Sequence, residues 1–133
     1  MNDSAMAPVK VEVSLGARSY DILIGAGLVR QAGAEIARRL PGIRAAVVTD
    51  ANVAARHLEP LRESLAAAGI EAAAIVVAPG EKSKSFATLE DVVSGVLAER
   101  LERGDAVIAL GGGVVGDLAG FVSGIVRRGM RFV

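Results

Sequence analysis

Residues 105–117, Asp-Ala-Val-Ile-Ala-Leu-Gly-Gly-Gly-Val-Val-Gly-Asp, constrain this chain more than any other stretch. A short apolar run from Ala106 to Leu110 enters three consecutive glycines, and a small-residue helical pattern follows from about Val114 to Arg127. Glycine alone lets a backbone turn so sharply and lets another molecule approach so closely. A helix opening straight after such a turn aims free N–H groups and its positive dipole end at whatever binds there, which suits phosphate or pyrophosphate. Gly111, Gly113 and Gly116 satisfy G-x-G-x-x-G in a strand-to-helix context. That fingerprint ordinarily follows the first strand of its domain, with an acidic residue about 20 positions later. Here several elements precede it, so the ordinary dinucleotide fingerprint is not met. Phosphate binding and close packing of a glycine-rich helix on a sheet both stay open.

The preceding elements read as the sheet that holds this turn. Val9, Val11, Val13 and Leu15 alternate with Lys10, Glu12 and Ser14, which predicts a half-buried strand. A turn at Gly16-Ala17-Arg18 and the alternation of Tyr20, Ile22 and Ile24 complete a hairpin. Leu28, Val29, Ala32, Ile36 and Leu40 form a helical stripe that Pro41-Gly42 stops. Ala45–Thr49 is a compact apolar run, as in a strand buried on both faces. One or two helices span Val53–Ala68, with Pro60 opening the second and Gly69 closing it. Ile70–Ala78 is a further strand and Pro79–Lys84 a polar loop. Ser83 or Ser85 can cap the next helix, whose stripe runs Phe86, Leu89, Val93, Val96 and Leu97. The order predicts an α/β fold: a hairpin, then a Rossmann-like doubly wound parallel sheet with helices on both faces. Residues 1–8 are expected to be a flexible N-terminus and 9–133 one α/β domain. Arg128–Val133 reads as a turn and the opening of another strand, so the chain is expected to be part of a longer protein.

Bulk properties narrow the function. Formal net charge is zero and there is no basic stripe, which argues against nucleic acid or an anionic membrane surface. No cysteine is present and His57 is the single histidine, so neither a thiolate site nor a multi-histidine metal centre can be built. Ala106–Val126 is apolar, with Gly112, Gly116, Gly120 and Gly124 at four-residue spacing, as in a transmembrane helix pair. Asp117 inside it would cost roughly 2.5–3.5 kcal/mol, and a triple glycine is a poor helix interior, so no membrane span is expected. The first eight residues lack the basic-then-apolar build of a secretory signal, and a cytoplasmic setting is expected.

Ligands of doubly wound sheets bind beyond the carboxyl ends of the strands. Three loops qualify: Asp50–Asn52, Pro79–Lys84 and Gly111–Asp117. Asp50 and Asn52 suit helix capping or recognition of ribose hydroxyls, capping being favoured by spacing alone. Glu81, Lys82 and Lys84 suit a solvated loop or a binding loop. Asp117 suits a carboxylate–dipole contact or an acceptor for a ligand hydroxyl. Arg127-Arg128 suits a helix C-terminus or an anion site, and His57 a surface helix position. No Ser-His-Asp arrangement can be assembled.

Taken together, Pro79-Gly80-Glu81-Lys82-Ser83-Lys84-Ser85, Gly111-Gly112-Gly113-Val114-Val115-Gly116-Asp117-Leu118-Ala119-Gly120-Phe121 and Arg128-Gly129 closely resemble the 3-dehydroquinate synthase family of sugar-phosphate cyclases. The resemblance covers the chain from about Val9, including Thr49-Asp50-Ala51-Asn52-Val53. It implies that NAD is held by Asp50, Asn52, Pro79, Gly80, Glu81, Lys82, Ser83, Lys84, Gly112, Gly113, Val114, Val115, Gly116 and Asp117. Asp50 and Asn52 would lie near the adenosine, reversing the preference for capping. Arg128 would reach the substrate phosphate of a neighbouring subunit, implying a homodimer. The family converts 3-deoxy-D-arabino-heptulosonate 7-phosphate to 3-dehydroquinate and phosphate, using NAD catalytically and a divalent metal, zinc or cobalt. The metal ligands, a glutamate and two histidines, belong to a later helical domain absent here. The resemblance therefore implies no catalytic or metal-binding residue in this segment, and no synthase activity from it alone. Other sugar-phosphate cyclases, a polyol dehydrogenase of related fold and a non-catalytic nucleotide-binding domain are the alternatives.

Overall fold

The computed structural model describes residues 7–133. Most of the N-terminal segment expected to be flexible, residues 1–6, lies outside the described residues. A two-stranded antiparallel hairpin, β1 (Val9–Val13) and β2 (Tyr20–Ile24), precedes a separate four-stranded parallel sheet. That sheet holds β3 (Ala45–Asp50), β4 (Ala72–Val77), β5 (Ala106–Leu110) and β6 (Arg131–Phe132) in the order β4-β3-β5-β6. Register runs Ala45 beside Ala72 and Ala106, and Ala106 beside Arg131. The expected α/β class and the strand at the end of the chain are both borne out.

The helices are α1 (Ala32–Arg39), α2 (Ala51–Val53), α3 (Glu59–Ala67), α4 (Phe86–Ala98) and α5 (Gly113–Ile125). A π-helical turn, Ala54–Leu58, joins α2 to α3, and Pro60 sits in the first turn of α3. The missing N–H of Pro60 falls just after the π-helical turn, where the α-helical ladder is already interrupted. Gly69 leaves α3 with φ +76°, a conformation open to glycine.

Two apolar cores flank the sheet. Ala46, Val48 and Val107 point to one face, where Val92, Val96, Val115, Leu118, Ala119 and Val122 from α4 and α5 cover them. Ala45, Val47, Ala106 and Ile108 point to the other, beneath Ile36 of α1 and Leu61 and Leu65 of α3. Continuous hydrophobicity in β3 follows from this two-sided cover: Ala45 to Thr49 are all buried. α1 and α3 meet at Gly33, where a Cβ would lie 1.9 Å from the Ser64 carbonyl oxygen.

Two expectations need correction. The hairpin's apolar residues, paired Val9 with Ile24, Val11 with Ile22 and Val13 with Tyr20, form the outward face. Val9 is 61% exposed and Ile24 55%. The inward face carries Asp21, which meets Lys10 at 3.4 Å and Arg39 of α1 at 3.4 Å. Alternation gave the period of these strands but not their facing: half-buried Leu23 and Asp21 of β2 turn toward α1. In α4, Phe86 is 88% exposed and Leu97 45%, while Val92 and Val96 are buried, so the core stripe is rotated from the expected one.

Candidate functional site

The sheet order creates a crevice. From β3 the chain moves to β4 on one side, then crosses back to β5 on the other. Connections therefore diverge between β3 and β5, the switch point at which open α/β sheets bind ligands. Asp50 and Gly111 follow the carboxyl ends of these two neighbouring strands.

On the β3 side, the Asp50 carboxylate accepts a 2.8 Å hydrogen bond from the Val53 amide, capping α2. Capping thus occupies one carboxylate oxygen. Asn52 is exposed and lines a 590 Å³ cavity with Val53, Ala55, Arg56 and His57.

On the β5 side, the glycine turn is built in layers. A Cβ on Gly111 would press to 3.0 Å on Val115, so this glycine serves internal packing. Gly112, Gly113 and Gly116 differ: a Cβ added at any of them meets no atom within 4 Å. Nothing inside the chain requires glycine there, and each leaves open room over the start of α5. The Gly116 amide donates to the Gly112 carbonyl at 2.9 Å, closing the first turn. Val114 is half-buried, and Val115 is 1% exposed beneath the turn. The Val115 side chain is core, so only its backbone faces the crevice side.

The third loop leans onto this turn. Gly80 has φ +92°. Ser83 is buried, and its hydroxyl donates to the Ala78 carbonyl, folding the loop back on the end of β4. Ser85, not Ser83, caps α4, accepting from the Thr88 amide at 3.2 Å. Lys84 Nζ lies 3.0 Å from Asp117 Oδ2 and 3.6 Å from Glu81 Oε2. The hydrogen bond to Asp117 and the nearby Glu81 carboxylate hold the Lys84 ammonium above its ordinary range. Glu81, Lys84 and Asp117 are thus brought together, while Pro79 and Lys82 stay exposed at the loop surface.

The structure does not bring Arg128 to these loops. It follows the far end of α5, roughly 18 Å along the helix axis from Gly113. Arg127 and Arg128 adopt φ +53° and +61°, a sharp corner leading into β6.

One feature escaped the sequence reading. Phe86, Leu89, Leu118 and Phe121 line a 270 Å³ apolar groove whose rim carries Lys84 and Asp117. Helical periodicity assigns Phe86 inward because it cannot tell a core stripe from a groove lining. Among the described residues no three His, Asp or Glu side chains gather as a metal site, and no helix is long and apolar enough to cross a membrane.

Residues 74–133 match the family model described as 3-dehydroquinate synthase N-terminal. The 3-dehydroquinate synthase of Brucella ovis is 70% identical over 125 residues, 94% of this chain and 33% of that protein. That of Brucella abortus is also 70% identical over 125 residues. The chain thus spans 33% of the length of the curated relatives it matches. Among solved structures, a 2-deoxy-scyllo-inosose synthase superposes with TM-score 0.81 at 19% identity, over 93% of this chain and 35% of that one. The 2-epi-5-epi-valiolone synthase of Streptomyces hygroscopicus, with NAD+ and Zn2+ bound, superposes with TM-score 0.72 at 30% identity, over 90% of this chain and 33% of that one. The chain is thus similar to the N-terminal portion of the 3-dehydroquinate synthase family.

Proposed function

We propose that this chain forms the NAD-holding part of a 3-dehydroquinate synthase, which converts 3-deoxy-D-arabino-heptulosonate 7-phosphate to 3-dehydroquinate and phosphate in the cytoplasm. The carrying observation is the open glycine turn at the switch point: Gly112, Gly113 and Gly116 have no internal reason to lack side chains. Their absence leaves the backbone N–H groups at the start of α5 open to a pyrophosphate. Solved neighbours support the cofactor, since one is a complex with carbaglucose-6-phosphate, NAD+ and Co2+ and another holds NAD+ and Zn2+.

In this reading Asp50 keeps one oxygen on the Val53 amide and offers the other to adenosine ribose hydroxyls. Asn52 lies beside it. Glu81 and Lys84 form one wall, and Asp117 orients Lys84 across the cleft. Pro79, Gly80, Lys82 and Ser83 complete that loop, and Val114 and Val115 contribute backbone only. When bound, NAD would supply reversible removal of a hydride from the ring carbon that bears a substrate hydroxyl, the hydroxyl losing its proton, and the ketone so formed acidifies the adjacent C–H before phosphate leaves. The described residues offer no metal-ligand cluster, so no step of a metal is assigned to them. Residues 9–133 act as one NAD-binding domain, Arg128 serves the substrate phosphate of a second subunit in a homodimer, and this chain alone has no synthase activity.

Amide NMR of the 133-residue chain titrated with NAD tests the reading. Shifts should concentrate at 50–52, 79–84 and 111–117. Shifts confined to other loops would overturn it. The neighbouring inosose and valiolone synthases make another sugar-phosphate cyclase the second reading. The 70% identity to 3-dehydroquinate synthases favours the first.

A further inference from the structure

A second cavity lies outside the three loops. It measures 380 Å³ and sits between the end of β2 and the start of α3. Gly25, Gly27, Arg30, Arg56, His57 and Pro60 account for its character. Its volume falls in the range of small-molecule sites. Arg30, Arg56 and His57 are among the residues that line it, and no Asp or Glu is. Among the described residues neither Arg30, Arg56 nor His57 forms an ion pair, whereas Arg38, Arg39 and Arg44 each have a carboxylate partner.

Both walls are fixed by structure unrelated to any charge. Ser64 Oγ accepts from the Gly33 amide at 2.8 Å and donates to the Arg30 carbonyl at 2.9 Å, tying the Arg30 backbone to α3. On the other side, the π-helical turn Ala54–Leu58 carries Arg56 and His57. Such turns interrupt the α-helical ladder, are rare, and concentrate at functional sites. Two like charges held across one cavity repel, and an anion between them relieves the repulsion. Planar guanidinium groups match phosphate oxygens two at a time.

We propose that this cavity is an anion site for a phosphate group, gripped by Arg30 and Arg56 with His57 beside them. It is separate from the glycine turn and stands whether or not NAD binds there. Arg56 and His57 also line the neighbouring cavity that contains Asn52, so an occupant would sit next to the candidate adenosine end of the main site.

His57 is the single histidine, so its imidazole signals in an NMR spectrum are unambiguous. The 133-residue chain would be titrated with inorganic phosphate and, separately, glucose 6-phosphate at constant ionic strength. The His57 signals should shift and saturate. R30Q/R56Q should weaken the apparent affinity at least tenfold while leaving the remaining spectrum folded; R56Q alone should weaken it less. Tighter binding of glucose 6-phosphate assigns an organic phosphate, and equal binding assigns the free ion. The proposal is overturned if His57 does not move, if its shift grows linearly without saturating, if R30Q/R56Q titrates like the parent, or if only the Gly112, Gly113 and Gly116 amides respond.

Discussion

Gly33 and Asp117 show how single residues carry different burdens. At Gly33 the backbone of α3 occupies the place of a Cβ, so Gly33→Ala must push two helices apart. Overpacking of this kind costs typically 1–3 kcal/mol, and urea denaturation should show a loss of about 3 kcal/mol with an unchanged slope. Gly116→Ala, with open space at its Cβ, should leave stability within about 1 kcal/mol while weakening NAD, because only a ligand needs that room. Asp117 acts through Lys84. The raised Lys84 pKa means that the ion pair contributes fully below the ordinary value of 10.5 and is lost as pH climbs through the higher folded value. Lys84→Met should therefore speed amide exchange of residues 81–84 near neutral pH, and the difference from the parent should vanish above that folded value. Of these residues, Gly116, Asp117 and Lys84 were legible as site candidates, from the glycine pattern and their place at strand ends. Gly33 was not, since its reason lies 31 positions away in α3.

At the scale of elements, period was legible and facing was not. β3 and β5 declare themselves because both faces are covered, so Ala45 to Val48 and Ala106 to Leu110 are all apolar. The hairpin shows the same alternation as a half-buried strand, yet the charges of Lys10 and Asp21 turn inward to Arg39. Glu35 joins this network from α1. Its hydrogen bond from Arg39 lowers its pKa below the ordinary 4.5, so the contribution is present above 4.5 and is lost as pH falls through the lower folded value. Ile24→Thr, on the outward face, should change stability by no more than about 0.5 kcal/mol. A loss of several kcal/mol on denaturation would return that face to the core. Loops between elements hold hidden ties as well. The Asp105 carboxylate accepts from the Arg44 amide at 2.9 Å and the Glu102 amide at 2.8 Å, joining the entrances of β3 and β5. Asp105→Ala should lower stability by about 2 kcal/mol, the usual scale for hydrogen bonds to a charged group, read as a fall in the denaturation midpoint.

Across the whole molecule, strand order turns these parts into a site. Sequence order alone leaves open where β3 lies; the arrangement β4-β3-β5-β6 sets Asp50 beside the glycine turn and so puts a fingerprint-like turn at the switch point although it follows a later strand. Strand ends picked out the three loops, and the family resemblance added NAD, before their proximity was visible, because the patterns and motifs are local. Strand order and the distance of Arg128 from the loops are tertiary, and no local pattern encodes them. The central claim is that the three loops together hold NAD. Calorimetric titration of the 133-residue chain with NAD tests it most directly. Saturable one-to-one binding that weakens at least tenfold in Asp117→Asn, with the fold unchanged, is expected. Absence of heat at millimolar NAD from a folded chain, or equal binding by Asp117→Asn, would contradict it.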